Sequence, residues 1–107
     1  MNIQVALRLG RVSNLPTVWT NVLAGLTLAG AGASTPQIAA LMLSMTLFYL
    51  GGMYLNDAFD AKIDAAERPE RPIPSGQVSA RTVFYLGFAM LALGIAGLAC
   101  AGKQLPD

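Results

Sequence analysis

Four oxygen-bearing side chains fall within nine consecutive residues: Asn56, Asp57, Asp60 and Asp64. If a helix carries this stretch, Asn56, Asp60 and Asp64 stack on successive turns and Asp57 lies beside them. Carboxylates at this spacing repel one another, and they are unfavourable near a helix C-terminus, where the dipole is already negative. The pattern therefore predicts a compensating cation. Because the ligands offer only oxygen and the chain has no His, that cation is expected to be Mg²⁺ rather than Zn²⁺.

Basic residues follow the acidic stretch. Arg68 and Arg71 each precede a proline, which biases their backbones toward extended conformations. We expect both guanidiniums to point out from the loop, ready for bidentate contacts with phosphate, and Lys62 to add a further point charge. Mg²⁺ bound to proteins usually keeps water and phosphate oxygens in its coordination shell. Together these residues predict a diphosphate site, where metal and arginines would stabilise the departing diphosphate of an allylic substrate.

Three long apolar segments surround this polar stretch. Residues 15–33, 37–55 and 82–102 carry no charge, and each is about long enough to cross a bilayer as a helix. Hydrophobic residues make up 54% of the chain and charged residues 12%, and the mean hydropathy is +0.52. The sequence therefore predicts an all-α membrane protein with three transmembrane helices and a polar loop at 56–81. A net charge of +1 gives no reason to expect nucleic acid as a partner.

Polar residues inside the apolar segments indicate an interior cavity. Asn21 lies on a polar face of the first segment, and we expect that face to point away from lipid. On the second segment, Tyr49 and Met53 share a face with Asn56 and precede it by one to two turns. We expect these residues to line a cavity that houses an isoprenoid tail, with the Tyr49 ring facing a carbocation. The alternative is that they only pack, or form hydrogen bonds between helices.

Small residues on the third segment predict a close helix contact. Ala92, Ala96 and Cys100 recur every four residues, a spacing that lets a second helix approach. As the only cysteine, Cys100 cannot form a disulfide within the chain.

The basic residues also predict orientation. Six of the seven would lie on one side of the membrane, and only Lys103 on the other; the six are Arg8, Arg11, Lys62, Arg68, Arg71 and Arg81. By the positive-inside rule, the N-terminus and the loop at 56–81 face the cytoplasm, and we expect a multi-pass protein of a bacterial inner membrane. A signal peptide is the competing explanation of the first segment, because residues 31–33 resemble a cleavage site. The segment is longer than usual for a signal peptide, however, and further apolar segments follow.

The acidic and basic elements together resemble a known signature. The chain reads Asn56-Asp57-x-x-Asp60-x-x-x-Asp64 and then Arg68-Pro69-x-Arg71-Pro72-Ile73-Pro74-Ser75-Gly76. This is similar to the first aspartate-rich motif of the UbiA superfamily of intramembrane prenyltransferases. The resemblance extends over essentially the whole chain, residues 1–107, because the flanking segments fit the family's first three helices.

The resemblance implies a multi-helix membrane bundle in which a prenyl group moves from a prenyl diphosphate to an acceptor. That acceptor is a small aromatic or other hydrophobic molecule, and Mg²⁺ is the cofactor. By the same resemblance, Asn56, Asp57, Asp60 and Asp64 would bind the metal–diphosphate, and Arg68, Arg71 and Lys62 would hold the phosphates. The family's second acidic motif has no counterpart after Asp64, so we expect an N-terminal part of a longer enzyme, inactive alone.

Two other functions are compatible with the residues themselves. The first is a non-catalytic membrane scaffold or subunit, whose acidic loop binds a partner. The second is part of a transporter that uses the acids for cation passage, although such a protein would place acids inside the spans, and residues 37–55 and 82–102 contain none.

Overall fold

The computed structural model describes residues 1–30 and 32–103, and for residues 102 and 103 it describes the backbone alone. All regular structure in these residues is helical, as the sequence predicts. The α-helices, in chain order, are α1 Ile3–Gly10, α2 Leu15–Ala29, α3 Thr35–Phe59, α4 Ala61–Glu67 and α5 Ala80–Lys103, with a 3-10 turn at Val12–Asn14 between α1 and α2.

Two of the three predicted spans have the length and composition to cross a membrane. Helix α3 has 25 residues with a hydropathy of 1.7, and α5 has a 22-residue stretch, Ala80–Ala101, with a hydropathy of 2.1. At 1.5 Å per residue, α3 is about 37 Å long, more than the roughly 30 Å of a hydrocarbon core. It begins with a capping box, in which the Ser34 hydroxyl accepts from the Gln37 N–H and the Gln37 side chain accepts from the Ser34 N–H.

The first predicted span is not one helix from 15 to 33. Helix α2 has 15 residues and ends at Ala29, because Gly30 adopts a left-handed conformation (φ 60°) and its N–H bonds back to the Leu26 and Thr27 carbonyls. At about 22 Å it is shorter than a bilayer core, so a third transmembrane helix is not confirmed. Residue 31 lies outside the described residues. None of the α2 residues is buried, and the Trp19 Nε1–H donates to the Thr46 hydroxyl at 2.8 Å across to α3.

Helices α3 and α5 pack closely because glycines face each other along the contact. A Cβ added at Gly51 would lie 2.9 Å from the Gly87 carbonyl oxygen, and one added at Gly94 would lie 3.2 Å from the Ser44 carbonyl oxygen. Side chains larger than hydrogen at these positions would push the backbones apart. The row of small residues at 92, 96 and 100 is exposed instead, so the contact predicted there is not made within the described part of the chain.

The short helix α1 packs against the end of α3. Its N-terminus is capped by Asn2, whose side-chain oxygen accepts from the Val5 N–H at 2.9 Å. Val5 and Leu9 are buried in a core cluster that also contains Tyr54, Ala58 and Val83. The Tyr54 hydroxyl donates to the Ala6 carbonyl at 2.9 Å. This packing brings the end of α1 beside the acidic stretch.

Candidate functional site

The acidic stretch lies across a break between α3 and α4. Helix α3 ends at Phe59, and Asp60 (φ −88°, ψ 4°) joins it to α4. Helical hydrogen bonds still cross the break, from the Asp60 N–H to the Asn56 carbonyl and from the Asp64 N–H to the Asp60 carbonyl. The helical register therefore nearly continues, and Asp57 and Asp64, seven residues apart, face the same side.

Asp57 and Asp64 are buried and share one arginine. They are 5% and 1% exposed. The Arg71 Nη1 lies 3.0 Å from Asp64 Oδ2 and 3.6 Å from Asp57 Oδ1, so a single cation bridges both carboxylates. Arg68 adds a second contact to Asp64, with 3.4 Å between its Nη1 and Oδ1. Buried carboxylates need such partners, because an unpaired buried charge is strongly unfavourable.

The third arginine at the site is Arg11, which the sequence analysis treated only as an orientation signal. Its Nη2 donates to Asp57 Oδ1 at 3.1 Å, across 46 residues of sequence. The first acidic residue in the chain is Asp57, so Arg11 has no acidic residue near it in sequence, and no sequence signal pointed to this pair.

The proline-rich loop folds into turns that hold Arg71 in place. The Arg71 carbonyl accepts from the Ser75 N–H at 3.0 Å, and the carbonyl of the buried Pro72 accepts from the Gln77 N–H at 2.9 Å. Gly76 closes the turn with φ 83°, a conformation that glycine adopts without strain. We expected both guanidiniums to point out from the loop. In the structure they turn inward to Asp64, because the buried carboxylate attracts them.

The other predicted site residues are less buried than Asp57 and Asp64. Asn56 and Lys62 are exposed and Asp60 is half-buried. Among the described residues, no group of three or more His, Cys, Asp or Glu side chains is arranged to hold a metal ion. The donor chemistry nevertheless suits Mg²⁺, because all four predicted ligands offer oxygen, and the Arg71 guanidinium shows that a cation fits between Asp57 and Asp64. The metal ligands stay a prediction.

Two of the three predicted cavity residues line a common groove. Asn21 and Tyr49 face an open groove of about 480 Å³ between α2 and α3, together with Val18, Val22, Met45 and Phe48. Met53 is half-buried and is not part of that lining. The Tyr49 hydroxyl donates to the Arg11 carbonyl at 3.0 Å, which links the groove to the buried ion pairs.

Comparison with known proteins agrees with the resemblance seen in the motif. Residues 18–105 match the UbiA prenyltransferase family, which is most of the chain. The chain belongs to the UbiA prenyltransferase family. No solved structure matches it.

Curated relatives of this UbiA family chain carry the name digeranylgeranylglyceryl phosphate synthase. The protein from Ignicoccus hospitalis is 41% identical over 98 residues, covering 91% of this chain and 32% of the relative. The one from Methanopyrus kandleri is 38% identical and covers 83% of this chain and 32% of the relative. The one from Sulfolobus acidocaldarius is 28% identical, covering 89% and 34%. The chain thus spans about a third of the length of these relatives.

Family membership and the two long apolar helices identify a UbiA family membrane protein. The relatives named above are archaeal, so the expectation of a bacterial inner membrane gains no support from them and stays a prediction.

Proposed function

We propose that this chain supplies one half of the diphosphate site of a membrane-embedded prenyltransferase. The reaction is transfer of a prenyl group from a prenyl diphosphate to an acceptor. The observation that carries the proposal is the cluster of Asp57 and Asp64, buried where an apolar helix ends and bound by Arg68 and Arg71. Family membership supports the same reaction.

The residues of the site divide into two groups in this proposal. Asn56, Asp57, Asp60 and Asp64 hold Mg²⁺, which when bound supplies positive charge to the leaving diphosphate. The cationic side chains Arg68, Arg71 and Lys62 hold the phosphate oxygens. Arg68 is 48% exposed and Arg71 28% exposed, so both guanidiniums can reach a phosphate by side-chain rotation.

The groove at Asn21 and Tyr49 would receive the isoprenoid tail. Its lining is mainly apolar, with Val18, Val22 and Met45 among the contributors. The Tyr49 ring would face the developing carbocation, which an aromatic face stabilises. Met53 lies between this groove and Asn56 in sequence and would continue the apolar wall.

The names of the relatives suggest the acceptor. Since several are called digeranylgeranylglyceryl phosphate synthase, we propose a prenylated glycerol phosphate as the acceptor, rather than an aromatic ring. The distribution of arginine and lysine supports a cytoplasmic site at the inner face of a cell membrane.

Substitution of the acids in the full-length protein tests this proposal. Asp57→Ala and Asp60→Ala should each lower prenyl transfer from geranylgeranyl diphosphate by about 100-fold or more, as loss of charge stabilisation does in other active sites. Glu70→Ala removes an exposed carboxylate from the same loop and is the matched control, expected to stay within about twofold of the unchanged protein. Removal of divalent cations with EDTA should abolish the reaction, and Mg²⁺ should restore it.

Normal transfer by Asp57→Ala in correctly inserted protein would overturn the assignment. It would favour the scaffold alternative, in which an acidic loop binds a partner. That alternative needs accessible acids, whereas Asp57 and Asp64 are buried against arginines.

A further inference from the structure

Asp57 and Asp64 depend on different arginines. The Arg11 Nη2 is 3.1 Å from Asp57 Oδ1, nearer than the Arg71 Nη1 at 3.6 Å. Arg71 lies closer to Asp64, at 3.0 Å from Oδ2. Charge interactions weaken with distance, so Arg11 is the main counter-charge of Asp57, and Arg71 that of Asp64.

The backbone of Arg11 is held firmly. It adopts a left-handed conformation (φ 48°, ψ 52°), which residues other than glycine rarely adopt and which the surrounding structure must stabilise. Its N–H donates to the Arg8 carbonyl at 3.2 Å, and its own carbonyl accepts from the Tyr49 hydroxyl at 3.0 Å. The preceding Gly10 lies against α3, where an added Cβ would be 2.7 Å from Leu50 Cδ2. The backbone that carries the Arg11 side chain is therefore held in place.

Arg68 and Arg71 have a different setting. Both follow α4 on the turn-forming loop, and Arg68 is 48% exposed, with a second contact to the exposed Glu67. If Arg68 and Arg71 turn to phosphate, as proposed above, Asp64 loses its contacts with both arginines, and the bound metal–diphosphate would replace them. Asp57, which is 5% exposed, keeps one arginine beside it, because its contact with Arg11 does not involve the loop.

We infer that Arg11 is a positioning residue of the diphosphate site, an inference that rests on the proposed function. It stays on Asp57 Oδ1 while Arg68 and Arg71 move to phosphate. Both guanidiniums that contact Asp57 approach Oδ1, so Arg11 orients the carboxylate with Oδ2 toward the ligand. The segment between α1 and α2 thereby becomes part of the site, although it lies 46 residues before the acidic stretch.

Binding by variants of the full-length protein tests the role of Arg11. The probe is geranylgeranyl thiolodiphosphate, which is not turned over, titrated at a series of Mg²⁺ concentrations. Arg11→Met should weaken probe binding about tenfold, the loss expected for one charge-assisted hydrogen bond, and raise the Mg²⁺ concentration for half-maximal binding. Arg11→Lys keeps the charge with fewer donors, so it should restore part of the loss. In the transfer reaction, KM should rise more than kcat falls.

Arg8→Met is the matched control. Arg8 lies about one turn before Arg11, and its guanidinium donates to the Glu70 carbonyl at 3.3 Å. The substitution therefore removes the same charge from the same part of the chain without removing a contact to Asp57. We expect its probe binding to stay within about twofold of the unchanged protein. In an Asp57→Asn background, Arg11→Met should add no further loss, because its partner is already neutral.

The outcomes separate the inference from the proposed function. Unchanged or tighter binding in Arg11→Met would overturn the inference, and so would an additive loss in the Asp57→Asn background. Normal binding in Asp57→Ala would instead overturn the proposed function. If Arg11→Met does not accumulate as folded protein, Arg11→Lys decides: about threefold weaker binding supports the inference, and unchanged binding overturns it.

Discussion

The contact between α3 and α5 depends on Gly51, and Gly51→Ala should destabilise the protein. The added methyl would lie 2.9 Å from the Gly87 carbonyl oxygen and 3.2 Å from Leu91 Cδ2. Leu91 can rotate, but Gly87 belongs to the helix backbone, so α5 must shift as a whole. Overpacking of this kind costs about 1–3 kcal/mol. Alanine recovers about 0.5–1 kcal/mol as the better helix former, which leaves a net loss of about 0.5–2 kcal/mol.

The neighbouring Gly52 provides the control. A Cβ added there meets nothing within 4 Å, so Gly52→Ala should gain the helix-propensity term alone, about 0.5–1 kcal/mol. The free energies of unfolding, measured by titration of the purified full-length protein with sodium dodecyl sulfate, should therefore differ by about 1–3 kcal/mol between the two variants. Equal stability of Gly51→Ala and Gly52→Ala would show that α3 and α5 do not approach as closely as described.

Three further predictions use the same unfolding measurement. Tyr54→Phe should cost about 1 kcal/mol, because it removes the hydrogen bond to Ala6 and keeps the ring; no change would mean that this bond contributes nothing. Gly30→Ala should cost about 1 kcal/mol, because φ is 60° there, and a stabilised variant would refute the left-handed end of α2. Asp64→Asn should lower the free energy of unfolding by about 1–3 kcal/mol, because it removes a buried charge bound by arginine. Glu67→Gln alters an exposed partner of Arg68 and should change stability by less than about 0.5 kcal/mol. Equal effects of the two substitutions would contradict the burial of Asp64.

Hydropathy along the sequence predicted the helices whose formation depends mainly on neighbouring residues. The two long apolar helices follow from uncharged runs, whereas the Ser34–Gln37 capping box that begins α3 was not predicted. The end of α2 was missed, because four uncharged residues after Ala29 hide the turn that Gly30 makes. A glycine at such a position can either end the helix or continue the apolar segment. Its hydropathy is the same in both cases, so hydropathy alone does not locate the helix end.

Contacts between distant parts of the chain could not be predicted. The small-residue row ending at Cys100 and the glycines at 87 and 94 lie on different faces of α5, and only packing shows that the glycines face α3. Arg11 was missed for the same reason. Its partner lies 46 residues away, and the sequence does not show that α1 folds back against the end of α3.

Helix geometry explains how the acidic stretch divides at the site. At about 100° per residue, positions seven apart differ in direction by only about 20°, which places Asp57 and Asp64 together facing the arginines. The side chain of Asn56 points about 100° away from that of Asp57 around the helix, and it is exposed. Asp60, at the break between α3 and α4, is half-buried. The same nine residues therefore present one buried, arginine-bound pair and two less buried residues. In the site as proposed, Asp57 would keep Arg11 as its counter-charge, and the less buried residues would be the first to meet the incoming ligand.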